Sequence, residues 1–150
     1  MPTPYFEGNW VCSHTTNINS SIRTIFEFTQ TNGINIENNE LISTGKLKVS
    51  VLMTWSSKSS IIVFDIKTSS KLESDLLHPI SLEIKDYSLL TNDLMFFSLL
   101  TIDALKKKVM DDFGVQQVVV IDSKTYKTIP QDKGEEFLCK RRHDEVDSNA

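Results

Sequence analysis

Apolar and polar residues alternate in several short blocks of this 150-residue chain, and clusters of turn-forming residues separate the blocks. Alternation with a period of two puts every second side chain on the same side of an extended strand. The clearest block is 47–55, where the odd positions hold Leu, Val, Val, Met and Trp. The pattern predicts a protein built mainly of antiparallel β-strands.

Turn signals give the expected order of these strands. Asn32-Gly33 follows an alternating block, and Asn-Gly favours the positive φ angles of a tight hairpin turn, so we expect a hairpin there. Gly45 is expected to mark the next reversal. The predicted strands cover residues 6–14, 23–30, 34–43, 47–55, 60–67, 80–85, 115–121, 125–129 and 135–141.

One segment has helical spacing instead. Apolar residues recur at helical intervals between Ile102 and Met110, Thr101 can cap the N-terminus and Gly114 follows the end. A long meander of strands tends to curl or close to hide its edges. We therefore expect one mainly β domain over residues 1–142, an antiparallel barrel with one short helix, followed by a disordered tail over 143–150.

Composition narrows the classes of function. The formal charge is −4, and the basic cluster 140–142 is followed at once by acidic residues, which argues against a nucleic-acid partner. No run approaches the roughly 20 apolar residues that span a bilayer. The three histidines show no metal-ligand spacing, and no nucleophile elbow or phosphate loop is present, so we predict neither metal, cofactor nor catalysis.

The two cysteines lie at opposite ends of the predicted domain, Cys12 in the first strand and Cys139 in the last. A disulfide between them would fasten the ends together and would indicate an oxidising compartment. The alternative is a pair of buried thiols in an ordinary core. We predict the disulfide.

Large apolar side chains share one face of the predicted strands. Such a face either fills a solid core or lines a cavity for an apolar ligand. The predicted ligand-binding residues are Trp10, Phe26, Phe28, Met53, Trp55 and Phe64.

The chain resembles lipocalin-like barrels in one respect: it has Gly8-x-Trp10 near the start and Arg141 and Arg142 near the end. In those barrels an early Gly-x-Trp packs against a late arginine of the closing strand. A guanidinium stacked on an indole is also a favourable cation–π contact in its own right. The fold expected from this resemblance is a lipocalin-like barrel, which either closes on its own or is completed by a partner chain.

The order of elements resembles the ToxS/VtrC family of periplasmic partners of membrane-bound transcription regulators. The segments on which this resemblance mainly rests are 45–51, 61–67, 102–110 and 118–122. This resemblance implies a heterodimer with a regulator's periplasmic domain and a shared chamber for a bile salt or similar amphipathic ligand. It also implies control of virulence genes for type III secretion, and an inner-membrane tether in a segment that this chain lacks. The alternatives are a stand-alone lipocalin-like carrier of apolar ligands and a periplasmic hydrolase inhibitor.

Overall fold

The computed structural model describes residues 3–55, 59–90 and 102–142, and eight strands in these ranges form an antiparallel sheet that closes into a barrel. Each strand pairs with the next, and β8 pairs with β1, so the chain closes the barrel by itself. A 3-10 helix, Thr3–Phe6, precedes β1, and one α-helix, α1, Ile102–Asp112, lies between β5 and β6. The strands are β1 Gly8–Asn19, β2 Ile22–Asn35, β3 Glu40–Met53, β4 Ser59–Glu73, β5 Leu76–Leu89, β6 Gln116–Asp122, β7 Thr125–Pro130 and β8 Phe137–Arg141.

The expected mainly β barrel with one helix is confirmed. The helix and the last three strands lie within a few residues of the predicted bounds. In β4, buried side chains alternate with half-buried ones from Ser59 to Ile66, as the period-two pattern requires. Thr101, predicted to cap the helix, and the predicted tail 143–150 lie outside the described residues.

The predicted hairpin at Asn32-Gly33 is wrong. Strand β2 continues through both residues, and the chain reverses at 36–39, where Asn39 has a φ of 50°. Asn32 is 2% exposed: its amide nitrogen donates to the Phe6 carbonyl at 2.9 Å, and its amide oxygen accepts from Ser43 at 2.7 Å. The asparagine therefore serves as a buried hydrogen-bonding group inside the barrel.

The predicted reversal at Gly45 is also wrong, because Gly45 lies in the middle of β3. It pairs with Gln30 of β2 and Ile66 of β4. A Cβ at this position would overlap the backbone carbonyl of Thr29. The absence of a side chain allows two strands to approach closely, so the segments predicted as two strands, 34–43 and 47–55, contribute to a single long strand.

The barrel is uneven. Strands β1 to β5 have 12 to 15 residues, whereas β6 to β8 have 5 to 7. Only Leu76 and Leu77 of β5 pair with β6, so within the described residues the stretch 78–89 of β5 has a strand partner on one side alone. This edge contains Pro79 and two register shifts against β4, which are devices that hinder pairing with another chain.

Two core clusters fill the barrel. The first lies at the end where the 3-10 helix packs and includes Phe6, Trp10 and Tyr126. The second includes Phe26, Ile62 and Phe64, and the apolar side of α1 packs against it. Phe28 and Phe137 pack against both clusters and so join them.

The 3-10 helix, Trp10 and Arg141 close the first end, which we call the closed pole. Trp10 is fully buried, and its indole nitrogen donates to the Phe6 carbonyl at 3.0 Å. The Arg141 guanidinium lies 4.2 Å from the centre of the Trp10 ring and donates to the Glu7 and Tyr5 carbonyls at 2.9 and 2.7 Å. The predicted contact between the Gly-x-Trp tryptophan and a late arginine is confirmed, and Arg141 makes it.

Candidate functional site

A cavity of about 180 Å³ lies between the two core clusters, inside the barrel. Residues of all eight strands and of α1 form its walls. For comparison, an apolar cavity of about 150 Å³ holds one benzene molecule. The space therefore suits a slender molecule or the end of an apolar chain. The apolar wall is formed by Phe26, Phe28, Leu41, Leu47, Ile66, Leu77, Leu82, Val109, Phe113 and Phe137.

Uncharged polar side chains occupy the deeper part of this cavity. The Gln30 amide nitrogen lies 3.3 Å from both the Tyr126 hydroxyl and the Cys12 sulfur, and it can donate to either. Tyr126 is 2% exposed, and burial raises the pKa of its phenol well above the usual value of 10. The phenol is therefore a neutral hydroxyl at physiological pH. Ser43, Thr68, Ser70 and Thr128 add further hydroxyl groups to the lining.

Cys12 and Cys139 form a disulfide, as predicted, and they also line the cavity. They are directly opposite each other in the pairing of β1 with β8, and both are at most 5% exposed. The bond joins the first and last strands at the place where the barrel closes. It therefore fastens β1 to β8 in the part of the barrel wall that lies beside the cavity.

Lys108 on α1 and Glu135 in the segment before β8 line the cavity with side chains that are 47% and 33% exposed, so we place the mouth of the cavity between them. Every residue of α1 is at least partly exposed, which sets this helix apart from the strands that it covers. The Lys108 ammonium lies 2.7 Å from the Asp112 carboxylate and 4.0 Å from the Glu135 carboxylate. Glu135 also lies 3.2 Å from the His14 ring nitrogen Nε2. Charged side chains thus surround the entrance to a cavity whose other lining residues are uncharged.

The predicted ligand-binding residues fall into three groups. Phe26 and Phe28 line the cavity. Trp10 and Phe64 are fully buried in the two clusters and are not among the lining residues. Met53, half-buried at the end of β3, and Trp55, which is 72% exposed, also lie outside the lining.

Most of the lining residues were not predicted from the sequence. Gln30 continues the alternation of Phe26 and Phe28 along β2, and Thr68 continues that of Phe64 and Ile66 along β4. Extending the period-two pattern past the polar residues would have found both. The contributions of α1 and of Glu135 depend on tertiary packing, and no local pattern in the sequence signals them.

No protein-family model matches this chain, and no curated protein matches it. Within residues 3–55, 59–90 and 102–142, no cluster of three or more His, Cys, Asp and Glu side chains is arranged to hold a metal ion. None of the helices in these ranges has the length and apolar character needed to span a membrane.

Proposed function

We propose that this protein binds a small apolar or amphipathic molecule in the barrel cavity and acts as a binding protein, not as an enzyme. The observation that carries the proposal is the cavity itself. The side chains that line it leave a space of about 180 Å³ unfilled. A barrel selected for stability alone would fill this space with larger side chains, yet serines and threonines occupy several lining positions.

The chemistry of the lining supports the same proposal. Ligand pockets combine apolar walls with a few polar groups that fix the orientation of the ligand. Here the phenylalanines and leucines offer the apolar walls, and the Gln30 amide and the Tyr126 hydroxyl offer hydrogen bonds at the inner end. An apolar chain that carries one hydroxyl or carbonyl group satisfies both.

Binding of 1-octanol, followed by isothermal titration calorimetry and by thermal unfolding, tests this proposal. Thr68→Phe places an aromatic ring in the cavity, and Lys67→Phe places the same ring on the outer face of the same strand. Thr68→Phe should weaken octanol binding by at least about tenfold because it occupies the ligand's space, whereas Lys67→Phe should leave it unchanged. Absence of octanol binding to the unmodified chain, or equal binding by both variants, would contradict the proposal.

A second candidate function is that of a periplasmic sensor subunit, which binds a bile salt together with the periplasmic domain of a membrane-bound transcription regulator and so controls virulence genes. Its support is the ToxS/VtrC-like order of elements, the disulfide, which suits an oxidising compartment, and a group of exposed apolar side chains at the end of β5. Tyr87, Leu89 and Leu90 are 39%, 36% and 59% exposed.

A steroid is larger than the present cavity, so bile-salt binding requires α1 to move outward. Deoxycholate, added below its micellar concentration, should therefore increase amide hydrogen exchange in α1. Sedimentation of the chain with a regulator's periplasmic domain should show a heterodimer whose population rises with deoxycholate. If deoxycholate neither binds nor changes sedimentation, this second candidate fails, while octanol binding still decides the first.

A further inference from the structure

The charges of the cavity are confined to its mouth. Among the described lining residues, the only ionisable side chains that carry charge at neutral pH are Lys108, Asp112 and Glu135. The deeper polar groups are amides and hydroxyls, including the neutral Tyr126 phenol. An ionised headgroup would lose much of its hydration deep in this cavity without gaining a partner of opposite charge. The headgroup of a charged ligand must therefore remain at the mouth.

The mouth does not favour an anion. It holds one ammonium and two carboxylates, and the ammonium of Lys108 is already engaged by Asp112 at 2.7 Å. A carboxylate headgroup would compete with Asp112 for this lysine and would approach Glu135, so like charges would oppose it. An alcohol, ester or amide headgroup meets no such repulsion. The side chains involved are only partly exposed, so solvent screening reduces this repulsion without removing it.

We propose that the cavity selects uncharged amphiphiles and discriminates against anionic ones, and that Asp112 is a specificity-determining residue. This inference rests on the proposed function, because it names the class of ligand that the same cavity takes. It gives the Lys108–Asp112 ion pair a role beyond stabilising one turn of α1, because Asp112 keeps the Lys108 ammonium from pairing with anionic headgroups.

The chain offers a matched control for a test of Asp112. Asp111 is its neighbour on α1, and it pairs with Lys107 at 2.8 Å in the same i,i+4 arrangement. Neither Asp111 nor Lys107 lines the cavity. Asp111→Asn and Asp112→Asn thus remove the same charge and the same type of helix ion pair, but only Asp112→Asn changes the mouth.

The experiment compares 1-octanol with octanoate by calorimetry at about pH 8, where octanoate is ionised. The two ligands share an eight-carbon chain and differ in the headgroup. The unmodified chain should bind octanol more tightly than octanoate. Asp112→Asn should strengthen octanoate binding by about tenfold relative to octanol binding, because it removes a like charge and frees Lys108. Asp111→Asn should change neither affinity.

Each other outcome is decisive. If Asp112→Asn alters both ligands equally, alters neither, or is matched by Asp111→Asn, the mouth does not set headgroup preference and the inference is wrong. Octanoate binding as tight as octanol binding to the unmodified chain also overturns it, and in these cases the proposed function stands. If neither ligand binds, the proposed function itself fails.

Discussion

Replacing Arg141 with Ala should destabilise the barrel because Arg141 holds the 3-10 helix against the closed pole. The substitution removes two hydrogen bonds from a charged donor, to the Tyr5 and Glu7 carbonyls, and the stacking on Trp10. Hydrogen bonds from charged groups contribute about 1.5 kcal/mol each at the lower end of their range, which suits the partial exposure of this site. The cation–π contact adds about 1 kcal/mol, and rehydration of the released carbonyls offsets part of the loss.

The expected loss in the free energy of unfolding is about 3 kcal/mol, which corresponds to a decrease in Tm of roughly 6–12 °C for a chain of this size. Arg142→Ala is the matched control. Arg142 is exposed, and its backbone nitrogen, which Ala retains, donates to the Asn9 carbonyl at 2.9 Å. This control should change the free energy of unfolding by less than about 0.5 kcal/mol.

Equilibrium unfolding in urea measures both variants, with circular dichroism for the sheet and tryptophan fluorescence, to which buried Trp10 and exposed Trp55 both contribute, for the tertiary structure. The unfolding midpoint should fall for Arg141→Ala at an unchanged m-value. If Arg141→Ala and Arg142→Ala have the same stability, Arg141 does not hold the closed pole and the reasoning from its contacts is refuted.

Gly45→Ala should destabilise the barrel by at least about 2 kcal/mol in urea unfolding because its Cβ would overlap the backbone of β2, whereas Gly33→Ala, whose Cβ has free space, should be neutral or slightly stabilising. A costly Gly33→Ala would contradict the position of the turn. The double substitution of Cys12 and Cys139 by Ala should cost about 4–5 kcal/mol, the chain-entropy value for a link across 127 residues, and a loss below about 1 kcal/mol would show that the barrel closes without the bond. Because burial raises the pKa of Tyr126, the folded state retains this proton where the unfolded state loses it, so stability should be fully present below about pH 10 and decrease as pH rises further. Urea unfolding of Tyr126→Phe should lack this contribution to the alkaline decrease, and an identical pH profile would show that another group causes it.

The sequence predicted the elements whose signals are local. Alternation marks a strand wherever one face is buried, and the interval of Ile102, Leu105 and Val109 marks α1. The disulfide was also predictable from the sequence, because Cys12 and Cys139 lie in the first and last strands, which pair once the sheet closes.

The errors occurred where one residue type serves two purposes. Asn-Gly is typical of hairpin turns, but Asn32 is a buried hydrogen-bonding group within β2. Glycine is typical of reversals, but Gly45 allows β2 to approach β3. Both roles depend on neighbours that are distant in sequence, so no local pattern distinguishes them.

The candidate site was predicted in part for a related reason. Parity shows which side chains share a face, and it led to Phe26 and Phe28. It does not show where along the barrel axis the core is solid and where it is open. Trp10 and Phe64 lie in solid clusters, and Trp55 lies beyond the end of β3, where strand parity no longer determines the direction of a side chain.

The two ends of the barrel differ in what holds them, and this difference indicates how a ligand enters. At the closed pole, Arg141, the aromatic cluster around Trp10 and the disulfide fasten the first strand to the last. At the other end, α1 rests on the second cluster through one apolar side and has no fully buried residue. Local opening takes place where the fewest contacts are lost. A ligand should therefore enter beside α1, past Lys108 and Glu135, and the same residues that surround the mouth would then decide which headgroups pass.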